Sequence, residues 1–343
     1  MTFPSERPDF QALWRSSTMP DVRITLRAFA TEADAIQVGE IVGAWLRILG
    51  AFFSLKRLDG VTVAYDYDQA LAEVDKGFGS QNISTATRNE FAVGIAMAVP
   101  VLRNGEPRSH LVINAGVVEA LKDDENPNHD IAFGVLAHEA AHVHDLEMQD
   151  VAFPGVLLQK QVAYREGVLL GLATLCWEEY IASRLSTSFQ HSQQLEWFET
   201  TLCAALQDVR ERGNKHIREY RLHSDIGKLM EQIQVEYGAV LKYSAYLLGH
   251  VAGADLSFAS AAPKAASLIE SKTYFASTFR EMSGTLETMW TTYGHWTEGI
   301  ETFAPLKKLI HEFLKTVGVD MQERGEGKCY IDVPFTLETM PLA

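Results

Sequence analysis

Cysteine is scarce in this chain of 343 residues: Cys176, Cys203 and Cys329 are the only three, they lie far apart, and they form no CxxC pair. A disulfide framework is therefore not expected, and a reducing compartment is the simpler reading. Positive charge is short as well. Thirty Lys and Arg against 45 Asp and Glu leave a net charge of −15, and no dense basic run stands out. The phosphate neutralisation on which nucleic-acid affinity depends is poorly supplied, so nucleic acid is not an expected partner. Long uninterrupted apolar runs are missing too. Of the richest stretches, 41–55 contains Arg47, 167–177 is too short, and 237–258 carries Lys242, His250 and Asp255; no membrane span is expected. Residues 1–9 lack a basic region followed by an apolar stretch, so no signal peptide is read there and the cytoplasm is the expected location. The sequence has no P-loop, dinucleotide fingerprint or GxSxG element, which removes phosphoryl transfer, nucleotide binding and serine hydrolysis from consideration.

What is present, 47% hydrophobic and 22% charged residues, is enough to bury one large core or two modest ones. Ala35, Val38, Ile41, Val42, Trp45, Leu46 and Leu49 recur at helical spacing within 31–56, after which Leu58-Asp59-Gly60 reads as a turn. Val61 to Tyr65 has strand character, and 67–74 returns to helix. A strand over 91–102 reverses at Asn104-Gly105, with 109–114 as its hairpin partner. A break at 149–155 precedes a long helix over 156–185. Amphipathic runs at 191–221, 224–252, 262–292 and 298–317 follow, with a short extended tail near 329–335. The expected fold class is α+β: a helical segment over 1–56, a core with a small sheet over 57–190, and a mainly α-helical C-terminal region over 191–343.

One short run outweighs all of this. His138-Glu139-Ala140-Ala141-His142 is an HExxH pattern. On an α-helix, positions i and i+4 share a face one turn apart, so the two imidazoles can hold a single ion between them. Glu139 then projects beside that ion, where it can take a proton from water; the trio is the signature of zinc-dependent peptide hydrolysis. The helical context is supplied locally, by Asn128 or Asp130 as N-cap and by Ile131, Val135 and Leu136 as an apolar face. The bland alternative is a helix whose two histidines are merely partnered core residues.

A catalytic zinc needs a third protein ligand. An extension of the motif by Gly at 145 and His at 148 is ruled out by Asp145 and Met148, and Asp145 and Glu147 stand too close on the same helix to swing round onto the ion. A glutamate from a later helix remains, within Cys176-Trp177-Glu178-Glu179-Tyr180. Leu172, Leu175, Cys176, Ala182 and Ser183 fall three, four or seven residues from Glu179, so that carboxylate borders the apolar stripe. A charged side chain facing a core is rare unless it is paired or binds metal. The expected ligand set is His138, His142 and Glu179, with Glu178 as the alternative third member.

With those residues in hand, the chain resembles the gluzincin metallopeptidases. HEAAH corresponds to their first ligand pair, and Glu179-Tyr180-Ile181-Ala182-Ser183 is similar to the Glu-x-x-Ala-Asp element of prenyl-protease-like and related minimal members. The resemblance covers about 57–187 and implies a zincin-like core holding Zn2+. Ser183 stands where those relatives carry an acidic residue that supports a zinc-binding histidine; either the serine or another group such as Asp145 fills that role. The resemblance also implies that an edge strand above the metal helix pairs with an extended substrate, and 109–114 is the candidate.

The function expected is endopeptidase hydrolysis of a peptide or protein substrate, with Glu139 as general base. His223, Tyr246 and His250 are candidates for a second electrophile, none distinguished by spacing. His144, about 200° round the helix from His142, is expected to face away, and His110 has no assigned role. Two alternatives stand beside this reading: a protease of narrow specificity acting on one partner, and a catalytically silent binding or regulatory protein on the same scaffold.

Overall fold

The computed structural model describes residues 10–79, 94–158, 162–325 and 327–340. It divides into two compact units, one of Met1–Lys160 with Ile181–Ser192, the other of Gln161–Tyr180 with Gln193–Ala343. The fold is α+β, with a small mixed sheet and a helical C-terminal region.

The first unit runs α1 (Gln11–Ser16), β1 (Ile24–Arg27), α2 (Glu32–Leu49), β2 (Leu58–Ala64), α3 (Tyr67–Ala72), β3 (Ala96–Arg103), β4 (Glu106–Asn114), α4 (Ala115–Val118) and α5 (His129–Ala152). Its sheet has the order β1-β2-β4-β3. β1 and β4 flank β2 in parallel, and β3 pairs antiparallel with β4. The hairpin follows from turn chemistry: Asn104 (φ 52°) and Gly105 (φ 81°) both adopt the left-handed region that a two-residue turn requires, so Arg103 pairs with Glu106. Strand alternation divides the core between two faces. Val61, Val63, Leu111 and Ile113 pack with Val42, Trp45 and Leu49 of α2 and with Leu136 and Ala140 of α5. Ala64, Val99, Val101 and Val112 pack with Tyr67 and Leu71 around α3.

Several expectations are corrected here. The strand over 109–114 is interior, because β2 lies on its other side; among the described residues the edge belongs to β3. Parallel pairing between strands distant in sequence leaves no local signal, and for the same reason β1 was not foreseen. Leu58-Asp59-Gly60 belongs to a strand, with an irregularity between Leu58 and Gly60. Gly60 gives the His110 ring room there, since a Cβ would stand a tight 3.0 Å from it. The helix read over 31–56 stops at Leu49, and the one read over 156–185 begins at Tyr164. Residues 91–93 of the expected strand lie outside the described residues.

The second unit is almost wholly helical. It holds most of α6 (Tyr164–Ser186), then α7 (Gln194–His223), α8 (Ile226–Gly253), α9 (Phe258–Ala261), α10 (Pro263–Ser271), α11 (Ala276–Thr291) and α12 (Ala304–Thr316), and ends in the antiparallel pair β5 (Asp320–Glu323) and β6 (Cys329–Asp332). Ser224 (φ 57°) turns the chain between α7 and α8, and Asp225 caps α8 by accepting from the Lys228 N–H. Gly213 on α7 leaves room for the Tyr237 ring of α8 to lie against the helix backbone. The amphipathic run at 262–292 is two helices, interrupted between Ser271 and Ala276. Among the described residues no helix is long and apolar enough to cross a membrane.

Candidate metal centre

Helix α5 opens at Asn128, whose side chain makes no capping bond, with Asp130 in the first turn where its charge suits the helix N-terminus. Ala132, Leu136, Ala140 and Val143 bury one side of α5 in the sheet core. Ile131, Val135, His138 and His142 form a half-buried stripe along the helix. Within that stripe the His138 and His142 Nε2 atoms are 3.2 Å apart, with ring planes at 85°. Two nitrogens held at about 2.0–2.1 Å from one tetrahedral ion stand roughly 3.3–3.4 Å apart, so the spacing fits a shared ion.

Helix α6 brings the carboxylate. Ala182, near its end, is buried in the core that holds Ala137 and Ala140 of α5, and Glu179 stands just under one turn before it on the same helix. Donor atoms of His138, His142 and Glu179 all lie within 4.8 Å of one another. Glu179 is 7% exposed, whereas Glu178 is half-buried. A second charge meets Glu179 inside the helical unit: Lys242 Nζ of α8 lies 3.3 Å from its Oε1. Lys242 also lies 5.6 Å from the centre of the Tyr246 ring. Sequence reasoning missed Lys242, whose one visible trait was interrupting an apolar stretch.

Glu139 is 7% exposed, and its Oε2 is buried with no hydrogen-bond partner among the described residues. A buried, unsatisfied carboxylate oxygen is costly unless something polar meets it, and beside a metal centre a water would do so. Tyr67, at the start of α3, feels the same carboxylate: burial first, and then the charge of Glu139, push its phenol up. Its hydroxyl is likewise buried without a partner among the described residues. Nothing in the sequence flagged Tyr67, which comes near Glu139 only through the tertiary fold.

The remaining candidates fall as follows. Ser183 is fully buried and its hydroxyl has no partner among the described residues. Asp145, 1% exposed, accepts from Gln149 Nε2 at 2.7 Å. His144 points elsewhere, its Nδ1 accepting from the Ser54 N–H at 3.1 Å, and burial lowers its pKa. His110 lies between Thr62 Oγ1 (2.9 Å) and Asp59 Oδ2 (3.3 Å) and ties β4 to β2. Of the three possible electrophiles, His223 is spent on the α7–α8 turn, where its Nδ1 accepts from the Asp225 N–H. Tyr246 and His250 follow Lys242 at successive turns of α8 and pack on Phe198; burial lowers His250 to about 4.

Two imidazoles and one carboxylate are the donor set of a known class of catalytic zinc site, a class that keeps its fourth position for water. No family model, curated protein or solved structure matches the chain.

Proposed function

We propose that this protein is a zinc-dependent endopeptidase of the gluzincin type. The observation that carries the reading is the convergence of the His138, His142 and Glu179 donors, with the unsatisfied Glu139 carboxylate on the same turn of α5. His138, His142 and Glu179 would hold a zinc ion, and the chemistry it would supply is Lewis acidity toward a substrate carbonyl and water. Glu139 is the proton carrier: it accepts a proton from the attacking water and delivers it to the departing amine. Lys242 holds one oxygen of Glu179 and offsets part of the negative charge buried there.

The edge strand supplies a way to hold an extended substrate. The two-residue turn at Asn104-Gly105 and the bond from the Asn114 N–H to the Ile95 carbonyl fix which residues of β3 bond inward to β4. The main-chain groups of Ala96, Ala98, Pro100 and Leu102 therefore point outward. Leu102 donates to the Lys76 carbonyl at 2.8 Å, and Pro100 has no N–H to give. Among the described residues, Ala96 and Ala98 are left to pair with a peptide by strand addition. A peptide or protein substrate is thus the partner class, and three unbridged cysteines suit a reducing compartment such as the cytoplasm.

The test is Glu139→Gln. It is expected to retain zinc while peptide hydrolysis falls by at least ~10³-fold, the scale on which a general base contributes. Hydrolysis at the wild-type rate by a zinc-loaded Glu139→Gln protein would contradict the assignment.

A further inference from the structure

The sheet of the first unit has a second outer strand, β1, at the end away from β3. Its register with β2, and the bonds from the Val61 and Tyr65 N–H groups to the Arg23 and Arg27 carbonyls, fix which of its main-chain groups face inward. Thr25 turns to β2, so the N–H and C=O groups of Ile24 and Leu26 point outward. Among the described residues, no main-chain bond reaches them from that side. Such an edge is a template for a further strand.

Beside this edge lies a groove of about 630 Å3, with Leu26, Ile36, Gly39, Glu40, Gly43 and Arg47 among its lining residues. The last five share one face of α2. Ile36 is 49% exposed, an apolar side chain that the first unit leaves largely uncovered. The Ile24 and Leu26 side chains lie over Gly43 and Gly39, where a Cβ would stand only 2.9 and 3.0 Å from them. A strand added to β1 would therefore lay alternate side chains along the same face of α2.

The edge and the groove together fit a second copy of this chain. Antiparallel pairing of β1 with itself engages both outward residues when the two-fold axis passes through Thr25: Ile24 of each copy then exchanges both main-chain bonds with Leu26 of the other. The same axis sets the two α2 helices antiparallel on one side of the joined sheet. Because Ile24 lies over Gly43 and Leu26 over Gly39, the axis crosses α2 near residue 41, and each Glu40 comes within about 7.5 Å, measured along the helices, of Arg47 in the other copy. Two long side chains of opposite charge can close that interval. The register also sets Arg23 opposite Arg27, but Arg27 is already matched by Asp66 and Glu73, each 2.7 Å away. The net charge of −15 on each copy opposes association, a repulsion screened beyond ~8 Å at physiological ionic strength.

We propose that β1 and the α2 groove form the interface of a two-fold symmetric dimer, in which the four-stranded sheets of two copies join through β1. The inference stands apart from the peptidase reading and leaves the β3 edge free in both copies. Its direct test is Thr25→Cys in the full chain. Residues paired across the axis at that position have Cα atoms ~4.5 Å apart, inside the range that a disulfide bridges. Mild oxidation should convert most of the Thr25→Cys protein into covalent dimers, and the wild-type chain, with its three cysteines, should yield none. Sedimentation equilibrium of the wild-type chain should give twice the mass of one chain at about 10–100 μM. Glu40→Arg should weaken association by about tenfold or more, as like charges set side by side across an interface do, and Glu40→Arg combined with Arg47→Glu should restore it. A wild-type chain that is monomeric across that range would overturn the inference, even if another protein fills the groove. A dimer that Thr25→Cys does not cross-link, or whose affinity Glu40→Arg leaves unmoved, would overturn it as well.

Discussion

Helices α5 and α6 contribute to one cluster by different routes. On α5 the spacing of His138 and His142 is set by the helix itself, because i and i+4 side chains meet wherever a helix forms. On α6 nothing local brings Glu179 to them. Its position depends on how α6 is seated, through Ala182 in the core beside Ala137 and Ala140, and its ionised form is matched by Lys242 from the helical unit. A histidine pair written into five residues of sequence is thereby joined by a carboxylate whose placement only the whole fold specifies.

That contrast orders the expected effects of perturbation. The largest belongs to α5: His138→Ala or His142→Ala breaks the chelating pair and should weaken zinc binding by on the order of 10³-fold or more, measured by competition with a chelating dye. Glu179→Ala leaves the pair intact and should cost less, about 10²-fold; a loss equal to or greater than that of the histidine variants would break the comparison. Acid should reveal a group outside the cluster. His250 is held at about 4, below its unfolded value of ~6.5, so the stability it provides is present above pH ~6.5 and lost as the pH falls towards 4. That is roughly 2–3 kcal/mol over the window. Urea midpoints of the metal-free protein should fall across this range, and His250→Phe should flatten the fall; an unaltered slope would show that acid acts elsewhere. The smallest effect is expected at Lys242. Lys242→Met should weaken zinc binding by about tenfold, as loss of a group that orients a ligand does, and Lys242→Arg should restore most of it. Equal weakening in both variants would mean that Lys242 acts through packing rather than by holding Glu179.

How much of this was legible in the sequence follows the same division. The HExxH helix, the Asn104-Gly105 hairpin and the long helices α7 and α8 are written in short-range periodicity and turn chemistry and appear near where those signals put them, whereas α6 begins later than read and the run at 262–292 divides in two. The phase argument that favoured Glu179 over Glu178 rested on neighbours within the same helix, and the more deeply buried of the two is Glu179. What could not be read depends on partners far apart in the chain. β4 looked like an edge because the parallel strand that covers it comes from β2. Leu58-Asp59-Gly60 looked like a turn because its glycine makes room for His110 across the sheet rather than for a reversal of the chain. Tyr67 and Lys242 carry no motif at all; each matters only for the carboxylate that the fold brings near it.

The central claim is that His138, His142 and Glu179 hold one catalytic zinc. Its most direct test is metal stoichiometry, measured side by side on the wild-type chain, Glu139→Gln, His138→Ala, His142→Ala and Glu179→Ala after dialysis against a weak chelator. The account predicts one zinc per chain in the first two and substantial loss in the other three. A wild-type chain that retains no zinc, or ligand variants that retain it in full, would contradict it.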